Sequence, residues 1–140
     1  MAKTFNDGIL PVSFWAESDY SAKQYYVAAM SACPGYATLA GGASDPYPLG
    51  IIQEGDSASM AVSLKVLGFT RAVVDSRDSV GNACPVIPGT LLTCGSESKL
   101  MVAGASGPAF AKSMGALSTG SAILNVLFYG VHGGDTVAAS

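Results

Sequence analysis

Apolar and polar residues alternate most clearly over residues 58–66, where Met60, Val62, Leu64 and Val66 share one side of an extended chain. A period of two marks a half-buried strand, because successive side chains of a strand point to opposite faces. Shorter runs of the same kind follow at 69–74, 91–94, 99–103, 114–117 and 122–129, and one precedes at 49–53, ending at Glu54-Gly55-Asp56. Upstream, Asp19 or Ser21 is placed to cap a short helix. Gln24-Tyr25-Tyr26-Val27 is β-branched and aromatic strand material, and we favour a strand ending near Met30. Cys33-Pro34-Gly35 then predicts a turn and residues 36–40 a further strand, closed by Gly41-Gly42. Residues 43–48 and 75–82 read as loops, and residues 110–114 as one turn of helix at most.

Seventeen glycines and seven prolines punctuate these runs. Short strands spaced by roughly 8–12 residues argue for a small β-barrel or sandwich rather than an α/β fold. The fold class expected is therefore all-β. A weak internal echo supports it. Leu49-Gly50-Ile51-Ile52-Gln53-Glu54-Gly55 matches Met114-Gly115-Ala116-Leu117-Ser118-Thr119-Gly120, and an alternating run follows each. Each unit reads as a strand, a tight turn and a return strand, and two such hairpins packed together would make most of one barrel. Gly55 and Gly120 are expected to supply the positive φ of the turn. Gly89, after Pro88, marks another turn. Gly50 and Gly115 are expected inside strands, where glycine signals close backbone approach or a bulge.

The chain divides into an extended arm at 1–18, a β-rich domain at 19–130 and a loose tail at 131–140. Phe5, Ile9, Leu10, Phe14 and Trp15 are poor choices for a solvated arm, so it is expected to pack on something. Either it reaches a neighbouring molecule, or it adds an N-terminal strand to its own sheet. Only 12% of residues are charged, against about 25% in an average soluble domain. Apolar and small polar groups must then cover much of the surface, as in proteins buried against partners.

The formal charge is −3, and Lys3, Lys23, Lys65, Arg71, Arg77, Lys99 and Lys112 are scattered. Binding to nucleic acid needs clustered positive charge, so no direct contact with DNA or RNA is expected. Neither a signal peptide nor a membrane-spanning run is legible. The single histidine, His132, lies in a Gly-rich tail and offers no nucleophile–base pair. Glu54 with Asp56, and Asp75 with Asp78, sit in predicted turns, where acidic side chains serve the local backbone. Cys33, Cys84 and Cys94 lack metal-ligand spacing and read as free thiols, a Cys84–Cys94 bridge being the alternative. No catalytic, cofactor or metal site is expected, and we read the chain as not an enzyme.

Residues 49–129 resemble the capsid decoration (cement) proteins of tailed phages. The resemblance lies in Tyr47-Pro48-Leu49-Gly50-Ile51-Ile52, the Gly55 turn and the alternating run to Val66 with Gly68. It continues in Pro88-Gly89-Thr90-Leu91-Leu92 with Gly95, the apolar residues 100–103, and the closing runs 114–117 and 122–128. Asp19-Tyr20-Ser21-Ala22-Lys23-Gln24-Tyr25-Tyr26-Val27 is similar to that family's opening strand. The resemblance implies a compact, often trimeric β-domain, made in the host cytoplasm and placed on the outer capsid surface of the virion. There it would bind the major capsid protein at three-fold and quasi-three-fold sites and staple capsomers against genome pressure. Other β-rich virion parts (tail-tube, head-completion or fibre modules) and a capsid-displayed carbohydrate-binding module are the alternatives.

Overall fold

The structure is a computed structural model that describes residues 12–41, 48–78, 80–95, 97–104 and 109–129. Every regular element among the described residues is a strand, so the all-β expectation holds. The strands are β1 Val12–Ala16, β2 Val27–Met30, β3 Tyr36–Leu39, β4 Pro48–Glu54 and β5 Ala61–Lys65. They continue with β6 Gly68–Asp78, β7 Leu91–Cys94, β8 Leu100–Val102, β9 Ala111–Ser113 and β10 Ser121–Phe128.

These strands form two closed barrels, not one. The first runs β1-β3-β2-β4-β5 around its ring, and the second β10-β6-β8-β7-β9. Counted from the first strand of each, the spatial order is the same twice: first, third, second, fourth, fifth. The senses repeat too. β1 is parallel to β3 and β6 to β8, and every other neighbouring pair is antiparallel. The two hairpins of the sequence echo therefore do not pack into one barrel; β4–β5 closes the first ring and β9–β10 the second.

The repetition extends to single hydrogen bonds. Ala40 N donates to Val27 O at 3.0 Å, and Ala103 N to Leu91 O at 3.0 Å. Tyr25 N donates to Ile52 O at 2.7 Å, and Gly89 N to Ser113 O at 2.8 Å. Tyr26 N reaches Lys23 O, as Thr90 N reaches Ile87 O. Val27 thus corresponds to Leu91, Tyr25 to Gly89 and Lys23 to Ile87. Tyr25 (φ 71°) and Gly89 (φ 93°) share the left-handed backbone, as do Gly35 (φ 82°) and Ser98 (φ 62°) before the third strand of each barrel.

The barrels lean on each other through β2 and β4. Val27, Ala28 and Ala29 are all buried, as are Gly50, Ile51, Ile52 and Gln53. Ala28 and Ile52 fill the first barrel with Ala16, Ala37, Val62 and Leu64. Val27, Ala29 and Ile51 face the other way and join the core of the second barrel, with Val74, Leu92, Leu100, Val126 and Phe128. A strand buried on both faces reads as a continuous apolar run, which is why these segments lack a period of two. Polar groups fix the contact. Val73 N donates to Tyr25 O (3.0 Å), Val27 N to Ser98 O (2.8 Å), and Ser98 Oγ to Ala40 O (2.7 Å). Gln53 Nε2 donates to Thr70 Oγ1 at 2.9 Å in the same seam.

Several sequence expectations are corrected. β6 runs on through Asp78, where a polar loop was expected from Asp75. Asp75 and Ser76 are buried because each has a partner, Arg77 for Asp75 and the Gly120 carbonyl for Ser76. Asp19 caps no helix; its Oδ1 accepts from Ser21 N and Oγ in a tight turn. Residues 111–113 are strand β9 rather than a helical turn, and 114–117 bends away with Leu117 in an isolated bridge to Val86. Gly120 does take positive φ, at 70°, but Gly55 does not. Gly55 is needed for close approach instead, since a Cβ there would stand on the Tyr20 carbonyl. Gly50 lies inside β4 as expected, whereas Gly115 lies in the bend after β9.

Candidate interaction surface

Of the residues expected to anchor the arm, Phe5, Ile9 and Leu10 lie outside the described residues. Phe14 and Trp15 do not belong to a free arm. They sit in β1, which pairs antiparallel with β5 (Trp15 opposite Ala61) and parallel with β3 (Trp15 opposite Tyr36). The arm boundary at residue 18 is thus too late for residues 12–16, and the alternative of an N-terminal strand describes them. The physical reason is the strand's own alternation. Phe14 and Ala16 turn inward and pack with the first barrel's core, while Ser13 and Trp15 turn outward.

Trp15 remains 52% exposed. Its N–H donates to Gly35 O at 2.9 Å, which locks the backbone while leaving the indole in solvent. Beside it lies an apolar groove of about 340 Å³, lined by Ser13, Phe14, Trp15, Gly35 and Ala61. Its walls hold no charged group, so it suits an apolar side chain rather than an ionic substrate.

Other exposed apolar side chains escaped the sequence reading. Met30, Met60, Val80, Ile87, Met114 and Ile123 are each about half exposed or more. Ile87 is held on a rigid turn: its N–H donates to Thr90 Oγ1 at 3.0 Å, and its carbonyl accepts from Thr90 N at 3.0 Å. The signal was present in Ile87-Pro88-Gly89, since a branched apolar residue directly before a Pro-Gly turn has little room to face a core.

The ion pairs between described residues gather at one place. Asp75 Oδ2 accepts from Arg77 Nη2 at 2.6 Å, and both carboxylate oxygens accept from Arg77 Nε at 3.1 Å. Glu97 lies between Arg77 and Lys99, with its carboxylate 3.9 and 3.3 Å from them. Hydrogen bonds from Arg77 hold the Asp75 carboxyl below its ordinary pKa, against the opposing effect of burial. A carboxyl depressed in the fold stabilises it above the unfolded pKa of about 3.9, and that contribution fades as pH falls through the folded value. Stability should therefore drop below pH ~4 in the native chain. Asp75→Asn should flatten that acid limb in urea titrations across pH; an unchanged limb would assign it to other carboxylates.

Among the described residues no three His, Cys, Asp or Glu side chains are grouped to hold a metal. The cysteines are free, with Cys33 exposed, Cys84 intermediate and Cys94 buried. His132 lies outside the described residues.

No protein-family profile matches the chain, and no curated protein sequence matches it. Among solved structures, its fold is similar to that of the head fiber gp8.5 N base of bacteriophage phi29, which covers 85% of this chain and 92% of that one with a TM-score of 0.60 at 13% identity. At that identity the likeness is one of fold: the tandem barrels of this chain have a counterpart in a protein of a phage head.

Proposed function

We propose that this chain is a structural protein of a tailed-phage virion, acting by binding and not by catalysis. It sits on the outer capsid surface and staples neighbouring major capsid proteins at three-fold and quasi-three-fold sites, as a homotrimer. The observation that carries the reading is the fold shared with a phage head fiber base over 85% of the chain. The residue pattern that resembles cement proteins supports it from an independent direction.

The physical properties suit that role. Each described strand is paired on both sides within a closed ring, and closed barrels present no edge for uncontrolled strand addition. A charge-poor surface with exposed apolar side chains costs little to desolvate against a partner. Three copies acting together convert modest single contacts into durable attachment.

The capsid anchor is assigned to residues 1–11, with Phe5, Ile9 and Leu10 as its apolar contacts. Aromatic and aliphatic anchors dominate interface energetics, and burying one such side chain contributes about 1.5–3 kcal/mol. All ten strands of the described residues begin at or after Val12, so deleting residues 2–11 removes none of them. The truncated protein should keep its circular dichroism and melting temperature but lose retention on purified particles by more than tenfold. Retention equal to the full chain would remove the arm from the mechanism.

A second reading is favoured by the name of the structural neighbour: the chain would be the base of a head fibre. Copy number and position by particle imaging separate the two. Copies at every three-fold and quasi-three-fold site without a projecting stalk favour cement, and a projection continuing outward from each copy favours a fibre base.

A further inference from the structure

The wall that β6, β10 and β9 make side by side in the second barrel has an outer face of distinct chemistry. Val126 and Phe128 point into the core, so Ile123, Asn125 and Leu127, which alternate with them, point outward. The registers extend that face across the neighbouring strands. Phe69, Leu127 and Lys112 stand opposite one another in one row. In the next row Arg71 is opposite Asn125, whose carbonyl accepts from Met114 N at 2.9 Å. Phe69 is 38% exposed and Ile123 54%. Among the described residues, Arg71 and Lys112 form no ion pair, unlike Arg77 and Lys99, and neither lies over a ring as Lys23 does over Tyr26. The face thus joins apolar side chains to two uncompensated cations, in a chain whose formal charge is −3.

The opposite charge lies on the first barrel. Residues 17–20 leave β1 and run beside the connection from β4 to β5. There Tyr20 N donates to Asp56 O at 2.8 Å, and Gly55 has no room for a Cβ against the Tyr20 carbonyl. That packing gathers Glu17, Asp19, Glu54 and Asp56 along one edge, all four exposed. Asp19 accepts from Ser21 and Asp56 from Ser57 N, yet none of the four is in an ion pair among the described residues. Met60 adds an exposed apolar side chain beside them: its carbonyl accepts from Ala16 N at 2.8 Å, next to Glu17.

We propose that the outer face of β6, β10 and β9 docks a second copy of this chain, seating the acidic edge of that copy's first barrel. Charge complementarity selects the occupant. Each chain carries an uncompensated basic face and an uncompensated acidic edge, and one contact neutralises both. Arg71 and Lys112 meet the carboxylates, while Phe69, Ile123 and Leu127 pack beside Met60 and exclude water, which strengthens the attraction. The two surfaces differ, so chains carrying both can close into a ring. The inference deepens the homotrimer reading above by naming its contact, and rests on that reading only for the number of copies; the contact itself needs no capsid.

The test uses the full chain in solution, with sedimentation velocity over a wide concentration range. The native chain should self-associate at low salt, and the association should weaken about tenfold or more in about 1 M salt, where the screening length falls to about 3 Å. Two charge reversals follow: Arg71→Glu with Lys112→Glu on the face, and Glu17→Lys with Glu54→Lys on the edge. Each variant should keep the native circular dichroism and lose self-association. Mixed in equal amounts, the two variants should associate again, because each face then meets an edge of opposite charge. Ile123→Ser changes no charge. It should weaken the native association about fivefold, and the mixed one equally when added to the face variant; attraction between net charges alone would not register it. A native chain that stays monomeric at low salt overturns the proposal. So does association that neither reversal weakens, which would leave the homotrimer standing on another surface. A native chain that is monomeric in solution, with a face variant that no longer stays on purified particles, would give the face to the capsid instead of a second copy. Capsid retention after deletion of residues 2–11 tests the proposed function separately and has no bearing on these outcomes.

Discussion

Tyr25→Ala should lower the unfolding free energy by about 3–5 kcal/mol, the cost of emptying a large aromatic site in a close-packed core. Tyr25 is 2% exposed and belongs to the cluster that fills the second barrel, although the chain around it belongs to the first. Its backbone N donates to Ile52 O and its carbonyl accepts from Val73 N, so one residue joins both rings. It does so in left-handed backbone at φ 71°, a conformation that costs a residue other than glycine about 1–2 kcal/mol. Tyr25→Phe should behave differently. The Tyr25 hydroxyl is buried without a hydrogen-bond partner, and an unsatisfied buried group costs about 1–3 kcal/mol. Removing it should leave stability unchanged or raise it. Urea unfolding of the two variants measures both effects, and a Phe variant less stable by more than 1 kcal/mol would mean that the hydroxyl has a partner.

That seam was the part of the fold least legible in the sequence. Runs with one face in a core and one in solvent show a period of two, and residues 58–66 revealed β5 with only its ends misplaced. Residues 27–29 and 50–53 are buried on both faces and show no period, so nothing local distinguished the wall between two barrels from the lining of one. Asp75 and Ser76 misled for a related reason. Polar residues suggest a loop until their partners are known, and Gly120, the partner of Ser76, lies 44 residues away. Of the N-terminal aromatic residues, Phe14 packs on the first barrel's core while Trp15 on the same strand faces outward, a difference that composition alone could not express. The internal echo detected the duplication yet misaligned it. It equated Gly50 with Gly115, whereas the registers place Gly50 opposite Ala28 and Ala111 opposite the corresponding Leu92. The echo therefore matched texture four residues out of step with the fold.

That misalignment has a measurable consequence, because two glycines that look equivalent in the sequence should respond in opposite ways. A Cβ on Gly50 would lie 2.6 Å from the Lys65 carbonyl oxygen and 3.1 Å from its carbon. Those atoms belong to the paired strand β5, so relief requires the two strands to part. Gly50→Ala should cost about 1–3 kcal/mol or more, the range for inserting a methyl group into a packed site. Gly55→Ala should cost at least as much, since its Cβ would meet the Tyr20 carbonyl, which is also backbone. A Cβ on Gly115 would instead meet Leu124 Cδ2 at 3.4 Å, an ordinary contact with the end of a flexible side chain, and its φ is not positive. Gly115→Ala should then be neutral or stabilising by about 0.4–1 kcal/mol, because alanine leaves the unfolded chain less freedom to lose. Gly120→Ala falls between: space is open around it, but its φ of 70° makes any L side chain pay the left-handed cost. Thermal unfolding of the four variants should rank Gly55 and Gly50 as most damaging, Gly120 next and Gly115 last. Equal losses at Gly50 and Gly115 would restore the alignment suggested by the sequence echo and reject the strand registers on which the equivalence of the two barrels rests.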